Sequence, residues 1–216
     1  MKKSLAIIDC SIKDPAYTCF NRLAREVEEN LSYHNFPKYG LEGLSYEGEP
    51  DGIIALGSHS NIGDGSHWHS PLATYLLEQL KKGIPVFGIC FTHQLMAHAF
   101  GSQLQRNAMN RCLEGVREVQ LNKSLFGIEK NTLSLFTAHN YQIESLSPDL
   151  EVIGTSKDSP FEFLRHKSLP YFSCQSHPEG SEFFIKHEIK IELSIDEKEK
   201  GLKDGLYLLK KFISSI

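Results

Sequence analysis

The sequence predicts a doubly wound α/β fold, with a mostly parallel β-sheet and an antiparallel excursion. Short, fully apolar runs, which are typical of buried parallel strands, alternate with longer segments whose apolar residues recur at helical spacing. After Gly101 the pattern changes to short β-like runs divided by turn residues, which indicates antiparallel strands. The 216 residues contain no repeat, low-complexity segment or linker, so we expect one domain over residues 1–216.

The first half of the chain alternates strands and helices. Apolar strands are predicted at residues 5–9, 51–57 and 85–89, with one further short strand somewhere in residues 32–50. Asp14 as N-cap and Pro15 at the first helical position predict a helix between the first two strands. Its apolar stripe is Phe20, Leu23, Val27 and Leu31. Ser70 and Pro71 predict the start of a second helix, and Gly83 predicts its end. The inward face of that helix is Leu72, Tyr75, Leu76 and Leu80.

Cys90 stands at the junction of a predicted strand and a predicted helix. The strand at residues 85–89 ends at this thiol, and a helical apolar pattern follows directly, with Leu95, Met96, Ala99 and Phe100 at helical spacing. A sharp strand–turn–helix with a thiol at its apex is the cysteine counterpart of a nucleophile elbow, which lifts the reactive atom above the sheet. The following backbone N–H groups can then face a developing oxyanion. The alternative is a buried core cysteine, the commoner place for a lone thiol.

The second half of the chain predicts the antiparallel strands and a closing helix. Four β-like runs are residues 115–121, 132–138, 151–156 and 161–165, and a further strand covers residues 171–175. The tail from Lys186 is charged and then amphipathic, which indicates a final helix. Its apolar face is Leu202, Leu206, Leu209, Phe212 and Ile213.

Directly after the strand at residues 171–175 the chain reads Ser176, His177, Pro178, Glu179, Gly180. A cysteine nucleophile needs a base to take its proton and a third group to orient that base. His177 and Glu179 are two residues apart, so on an extended backbone their side chains point to the same side. Alone, the pair would be better interpreted as a surface loop. Together with Cys90 it predicts a cysteine–histidine–glutamate triad.

Composition excludes several classes of protein. The 23 Lys and Arg residues against 27 Asp and Glu give a net charge of −4 with no basic stripe, which argues against nucleic acid as a partner. No apolar run reaches membrane-spanning length, and the N-terminal run is too short for a signal peptide, so no membrane partner is expected. Five cysteines without a paired spacing do not form a disulfide framework. We therefore expect a reducing, cytoplasmic setting.

These motifs together resemble the class I glutamine amidotransferases. The resemblance is carried by Gly88-Ile89-Cys90 with His93-Gln94, by the His177-Pro178-Glu179 stretch, and by the strand and small-residue loop at residues 51–60. It implies a flavodoxin-like fold and release of ammonia from the side chain of glutamine through a cysteine thioester. Carried over, Cys90 is the nucleophile, His177 the base and acid, and Glu179 the orienting carboxylate. The implied oxyanion hole uses the backbone N–H groups of Ser58 and Phe91, and the implied substrate contacts are Gln94, His139 and Asn140.

The chain departs from the family pattern at two places. The family loop Gly-Gly-Pro-Gly is here Gly57-Ser58-His59-Ser60, and Thr92 replaces the second glycine of the elbow. A β-branched residue is expected to crowd the turn, and Ser58 lacks the freedom of glycine. We therefore expect a poor glutaminase when the chain acts alone, with higher kcat on replacing Ser58 or Thr92 by glycine.

The remaining histidines and cysteines have simpler interpretations. His59, Asp64, His67 and His69 could in principle hold a metal, but they have no regular ligand spacing, so a polar loop anchored by Trp68 is expected instead. We predict no metal and no cofactor. Cysteines 10, 19, 112 and 174 are predicted to be core residues.

Three functions stay open from the sequence. The first is a glutamine amidotransferase whose ammonia passes to a synthase partner. The second is a γ-glutamyl hydrolase or peptidase acting on another γ-glutamyl amide. The third is a catalytically silent binding module.

Overall fold

A computed structural model describes residues 2–44, 48–107 and 109–216 of the chain. The strands are β1 (Ser4–Asp9), β2 (Asn30–Asn35), β3 (Gly52–Ala55), β4 (Val86–Ile89), β5 (Gln103–Arg106), β6 (Leu113–Leu121), β7 (Thr132–His139), β8 (Tyr141–Ser145), β9 (Leu150–Ser156), β10 (Phe163–His166) and β11 (Tyr171–Cys174). The helices are α1 (Tyr17–Glu26), α2 (Phe36–Tyr39), α3 (His69–Lys81), α4 (Phe91–Ala99), α5 (Glu182–Glu188) and α6 (Ile195–Ser215). Short 3-10 turns cover Glu42–Leu44 and Ile62–Asp64.

Nine strands form one mixed sheet in the order β2-β1-β3-β4-β11-β10-β9-β6-β7. The pairings from β2 to β11 are parallel, and those from β11 to β7 are antiparallel. The predicted α/β class, parallel core and antiparallel excursion are confirmed, and the excursion extends the same sheet instead of leaving it. The strands β5 and β8, which the sequence did not predict, pair as a separate two-stranded ribbon.

Helices cover both faces of the parallel half, which explains why its strands are apolar throughout. On one face, Leu23 of α1 and Leu209 and Phe212 of α6 pack with Ile7 and Phe87 of the sheet. On the other face, the side chains of α3 and α4 pack against a second cluster that includes Ile8 and Ile53. Because side chains alternate between the two faces along each strand, they contribute to two hydrophobic cores, one on either side of the sheet.

The register of β4 against β11 sets the position of the functional residues. Ile89 pairs with Cys174 in parallel, so both strands end at the same level. The residue after each strand therefore leaves the sheet at the same edge, and Cys90 lies beside the stretch that contains His177. Ligand sites of open α/β sheets lie at this carboxyl edge.

Several helix boundaries differ from the sequence prediction. Helix α1 begins at Tyr17 after Ala16, without a side-chain cap, so Asp14 and Pro15 belong to the preceding loop. Leu31 was predicted on the stripe of this helix, but it lies in β2. Helix α3 begins at His69 with Trp68 as its N-cap residue, two residues before the predicted cap at Ser70. No helix in the described part of the chain is both long and apolar enough to cross a membrane.

Candidate active site

Cys90 occupies a strained turn between β4 and α4. Its backbone has φ 47° and ψ −98°, a positive-φ conformation that a non-glycine residue adopts only when its surroundings hold it there. The N–H of Cys90 donates to the carbonyl of Cys174 at 2.8 Å, which fixes the turn against β11. The thiol was expected above the sheet, yet Cys90 is only 5% exposed. The elbow geometry is present, but the residue is enclosed by the loops around it.

His177 and Glu179 stand beside this thiol as a hydrogen-bonded pair. Nδ1 of His177 lies 2.8 Å from Oε1 of Glu179, and both side chains are buried. Burial alone would lower the pKa of His177, but the adjoining Cys90 and Glu179, both hydrogen-bonded to the imidazole, raise it well above its ordinary value. A protonated imidazole is therefore favoured between these two partners, an arrangement that suits nucleophilic chemistry by the thiol.

Two glycines permit the close packing around the imidazole. A Cβ on Gly57 would lie 2.8 Å from Cε1 of His177, so the loop after β3 can approach the ring only because residue 57 has no side chain. On the other side, a Cβ on Gly205 of α6 would lie 2.4 Å from the carbonyl oxygen of Pro178. The His177 segment is thus held between the loop after β3 and the long C-terminal helix.

Of the two predicted oxyanion positions, Phe91 begins helix α4 and Ser58 lies on the loop after β3. Phe91 is the first residue of α4, and the first intrahelical bond runs from the N–H of Gln94 to the carbonyl of Cys90, so helix geometry gives the Phe91 N–H no intrahelical partner. Ser58 is half-buried, and its Oγ accepts the N–H of Ser60 at 3.0 Å. This local bond shapes the loop without glycine.

Thr92 fits its place in the elbow through contacts that the sequence did not suggest. Its Oγ1 donates to the carbonyl of Leu56 at 2.8 Å, and the thiol of Cys10 lies 3.6 Å from the same oxygen. A Cβ on Gly88 would lie 3.2 Å from the Thr92 methyl, so the small residue on β4 leaves room for the branched one on α4. The expected crowding at Thr92 is avoided because Gly88 has no side chain.

Of the three predicted substrate residues, Gln94 and His139 are buried, whereas the Asn140 side chain is exposed. The Gln94 amide nitrogen donates to the carbonyl of Tyr141 at 2.7 Å and to Oε1 of Gln175 at 3.0 Å. His139 places Nδ1 3.0 Å from the same Tyr141 carbonyl. Burial, followed by the charge of Arg117, lowers the pKa of His139 to about 4, so its imidazole is neutral.

Gln175 contacts the predicted nucleophile, although the sequence argument gave it no role. Its amide nitrogen lies 3.6 Å from Sγ of Cys90, and its amide oxygen accepts from Gln94. The signal was present in the sequence, because strand alternation puts residue 175 on the same side as His177 and Glu179.

Glu162 is a second buried group that the sequence argument missed. It accepts hydrogen bonds from Ser176, the residue before His177, and from Ser156 at 3.0 Å. Burial raises the pKa of this carboxyl above its ordinary value. Glu162 therefore supports the backbone that carries the imidazole.

A cavity of about 120 Å³ adjoins His177 and Glu179. Its other walls are the loop between β1 and α1, the loop at residues 56–59, Ala138 and α5. At its rim, Nε2 of His59 lies 3.2 Å from the Glu188 carboxylate, which joins the loop after β3 to the end of α5. The site thus opens on the side of the imidazole.

The other histidines and thiols are distributed as follows. Trp68 is buried against Phe91 and anchors the loop as predicted. His69 also holds the loop, since its Nε2 lies 2.8 Å from Ser60 Oγ, a role that the sequence did not predict. Within the described ranges, no group of three or more His, Cys, Asp or Glu side chains is placed to bind a metal ion. Cysteines 10, 19 and 174 are buried as predicted, but Cys112 is only half-buried.

Comparison with known proteins shows similarity to one family model and to several relatives. The family model "Glutamine amidotransferase class-I" matches residues 8–188. A glutamine-hydrolysing GMP synthase of Desulfotalea psychrophila is 31% identical over 163 residues, covering 73% of this chain and 30% of that protein. One subunit of the glutamine-hydrolysing GMP synthase of Pyrococcus abyssi is 28% identical over 154 residues, covering 71% of this chain and 77% of that protein. The chain therefore spans about a third of the length of the Desulfotalea relative.

Among solved structures, a glutamine amidotransferase of Thermotoga maritima superposes with a TM-score of 0.74 at 20% identity, covering 100% of this chain and 96% of that one. At this identity the likeness shows the fold.

Proposed function

The chain belongs to the class I glutamine amidotransferase family, and from that premise we propose that it hydrolyses the side-chain amide of glutamine through a thioester on Cys90. The observation that supports this most directly is the hydrogen-bonded set of Cys90, His177 and Glu179 at the carboxyl edge of the sheet. A thiol, a base and a carboxylate that orients the base are the three parts that acyl transfer to cysteine requires.

In the proposed mechanism, the Cys90 thiolate attacks the amide carbon of glutamine. His177 then gives its proton to the leaving nitrogen, so ammonia departs and an acyl-enzyme remains. His177 next takes a proton from a water molecule, which attacks the thioester and releases glutamate. Glu179 holds Nδ1 of the imidazole and stabilises its positive charge through both steps.

Charge that develops on the amide oxygen needs donors. We assign these to the backbone N–H groups of Phe91 and Ser58, on the helix and the loop that enclose Cys90. The amino-acid end of glutamine is assigned to Gln94, His139 and Asn140. A neutral His139 with a buried, unpartnered Nε2 offers an acceptor for an ammonium group.

The relatives suggest where the ammonia goes. Those named above are glutamine-hydrolysing GMP synthases, and one of them is a separate subunit. We propose a synthase partner that accepts ammonia from this chain, in the cytoplasm, where the five cysteines would stay as free thiols. Co-purification of the tagged chain with such a partner, and a rise in glutamine turnover on adding it, would support the assignment.

The glutaminase proposal is tested by measuring glutamate release from glutamine by the purified chain. Replacing Cys90 by alanine should abolish release while leaving the melting temperature within a few degrees of the parent. The matched control is Cys112→Ala, which removes a half-buried thiol outside the proposed triad and should leave turnover unchanged. Equal release by the parent and the Cys90 variant would refute the proposal.

A further inference from the structure

The side chain of Gln175, the residue that follows β11, lies against the reacting atom of the proposed nucleophile. Its Nε2 donates to Sγ of Cys90 at 3.6 Å, which is within hydrogen-bond reach because sulfur is a larger atom than oxygen. Gln175 is only 1% exposed, so the donor and the sulfur meet away from bulk water. This contact has no part in the proposed triad of Cys90, His177 and Glu179.

The orientation of the Gln175 amide is set by Gln94. The Gln94 nitrogen donates to the backbone carbonyl of Tyr141 at 2.7 Å and to Oε1 of Gln175 at 3.0 Å. A carbonyl oxygen only accepts hydrogen bonds, so Tyr141 determines which end of the Gln94 amide faces it. Because Gln94 then holds the oxygen of Gln175, the nitrogen of Gln175 faces the sulfur. The direction of these hydrogen bonds is therefore fixed from Tyr141 to Sγ of Cys90.

A donor at this position favours the charged form of the sulfur. The amide nitrogen donates hydrogen bonds and accepts none, so it is stabilised more by a thiolate than by a neutral thiol. The second donor to the same sulfur is the imidazole of His177, which is hydrogen-bonded to Cys90. The thiolate is thus contacted by one charged donor and by one neutral donor.

The titratable neighbours of Cys90 differ from Gln175 in what they contribute. Cys112 and Cys174 interact with Cys90 electrostatically, but burial raises the pKa of both thiols, so they are neutral near pH 7. The positive charge beside the sulfur comes from His177, and it is lost when the imidazole gives up its proton. Gln175 does not titrate, so its donor is present throughout the reaction.

Sulfur is negatively charged at two points of the proposed reaction, before attack on the amide and again when the thioester is cleaved. In the second step water attacks the thioester carbon, its proton passes to His177, and the C–S bond breaks. The bonding electron pair leaves with Sγ of Cys90, which becomes a thiolate again. The N–H of Gln175 meets this charge with a hydrogen bond and transfers no proton.

We propose that Gln175 is a further catalytic residue of this site, with its amide nitrogen stabilising the Cys90 thiolate and its amide oxygen held by Gln94. The inference rests on the proposed hydrolysis of glutamine and adds a residue to it. It also gives Gln94 a second role, because a residue assigned to the amino-acid end of glutamine orients the donor at the nucleophile.

The test measures alkylation of Cys90 by iodoacetamide as a function of pH, read by mass spectrometry of peptides, together with kcat and KM for glutamine. Gln175→Met keeps the length of the side chain and removes the donor. The midpoint of the alkylation profile should move to higher pH by about one unit or more, since a hydrogen bond to an ionised group changes such an equilibrium about tenfold or more. The kcat for glutamine should fall about tenfold or more, with KM little changed.

The matched control is Gln79→Met, the same substitution at a buried glutamine of α3. Gln79 is outside the proposed site, so this variant should match the parent in both measurements. Gln175→Glu is a second variant of nearly the same shape, which places a carboxylate against the sulfur. It should move the alkylation profile to higher pH even further than Gln175→Met, and it provides the test if the methionine variant does not fold.

Gln94→Met tests the orientation of the Gln175 amide without removing a contact to the sulfur. It should raise KM for glutamine and also move the alkylation profile of the glutamine-free protein to higher pH. A higher KM with an unmoved profile would show that Gln94 serves glutamine alone, and the second role inferred for it would be wrong.

An alkylation profile that is the same in the parent, Gln175→Met and Gln175→Glu overturns the inference, even if kcat falls, because a structural role alone would lower kcat. Glutamate release by the parent then leaves the glutaminase proposal standing. Absence of glutamate release from the parent overturns the proposed function and the catalytic role of Gln175 with it. The alkylation profile needs no glutamine, so it separates these two failures.

Discussion

Replacing Thr92 by valine tests whether this residue hinders or supports the loop after β3, which is proposed to supply an oxyanion donor at Ser58. The sequence alone predicts hindrance, because the family has glycine at this position. The structure gives the opposite expectation, since Oγ1 of Thr92 donates to the carbonyl of Leu56, the residue before Gly57 and Ser58. Valine keeps the branched shape that fits beside Gly88 and removes this hydrogen bond together with the 3.6 Å contact to the Cys10 thiol.

The expected fall in kcat is estimated from the hydrogen bond that the buried Leu56 carbonyl loses when valine replaces Thr92. Loss of such a bond costs about 1–3 kcal/mol. If the whole loss reaches the transition state, kcat falls by between about fivefold and 150-fold. The matched control is Thr92→Ser, which keeps the hydroxyl and loses one methyl group, at about 1 kcal/mol of stability.

The assay measures kcat and KM for glutamine together with the melting temperature of each variant. We expect a lower kcat for the valine variant, with KM little changed, and near-parental kcat for the serine variant. A higher kcat in Thr92→Gly or Thr92→Ser than in the parent would show that crowding by Thr92 dominates. That result would refute a supporting role for the hydrogen bond from Thr92 to Leu56.

Four further predictions follow from the same site. Gly57→Ala places a Cβ 2.8 Å from Cε1 of His177, so kcat should fall about 10²-fold without unfolding, as measured by steady-state kinetics and circular dichroism. Glu179→Gln removes a charge that raises the pKa of His177, so the alkaline limb of the pH profile of kcat/KM should move to lower pH. The fall in kcat should be smaller than for His177→Ala, and an alkaline limb that does not move would contradict the prediction. A glutamine-site alkylator should modify Cys90 first, as read by mass spectrometry of peptides, because burial raises the pKa of the other four thiols, that of Cys19 to about 12. The pKa of Glu162 is raised, so its protonated form is favoured in the folded state. The stability of the parent relative to Glu162→Gln should therefore be greatest below about pH 4.5 and decline as pH rises. Thermal melts across pH 4–8 measure this, and a melting-temperature difference between the two proteins that stays constant with pH would contradict it.

Local patterns were sufficient for much of the fold and for the chemical groups of the site. The strand before Cys90 and the helix after it could be predicted because apolar runs and helical spacing are local signals. The pairing of His177 with Glu179 depends only on a separation of two residues. Helix starts were less accurate, since Asp14 and Ser70 satisfy the rules for N-caps but tertiary packing begins the helices elsewhere.

The remaining features depend on contacts between residues that are distant in the sequence. Thr92 reaches Leu56 across 36 residues, and Glu162 reaches Ser176 only because β10 and β11 are neighbours. A single sequence contains no signal for such pairs. The sequence therefore predicts crowding from the branched shape of Thr92 alone. Its fit in the folded chain depends on Leu56, Cys10 and Gly88 together.

The same reasoning explains why substrate choice is harder to predict than chemistry in this fold. The thiol, imidazole and carboxylate come from the ends of two adjacent parallel strands, β4 and β11, whose positions follow from the sheet order. The cavity beside them is formed by the loop after β1 and by α5, which are separated by more than 150 residues and join no strand pairing with each other. Phe184 of α5 also packs against the His177 ring, with ring centroids 4.7 Å apart. The sheet order therefore places the proposed triad, whereas the space beside His177 depends on two segments that are distant from each other in the sequence.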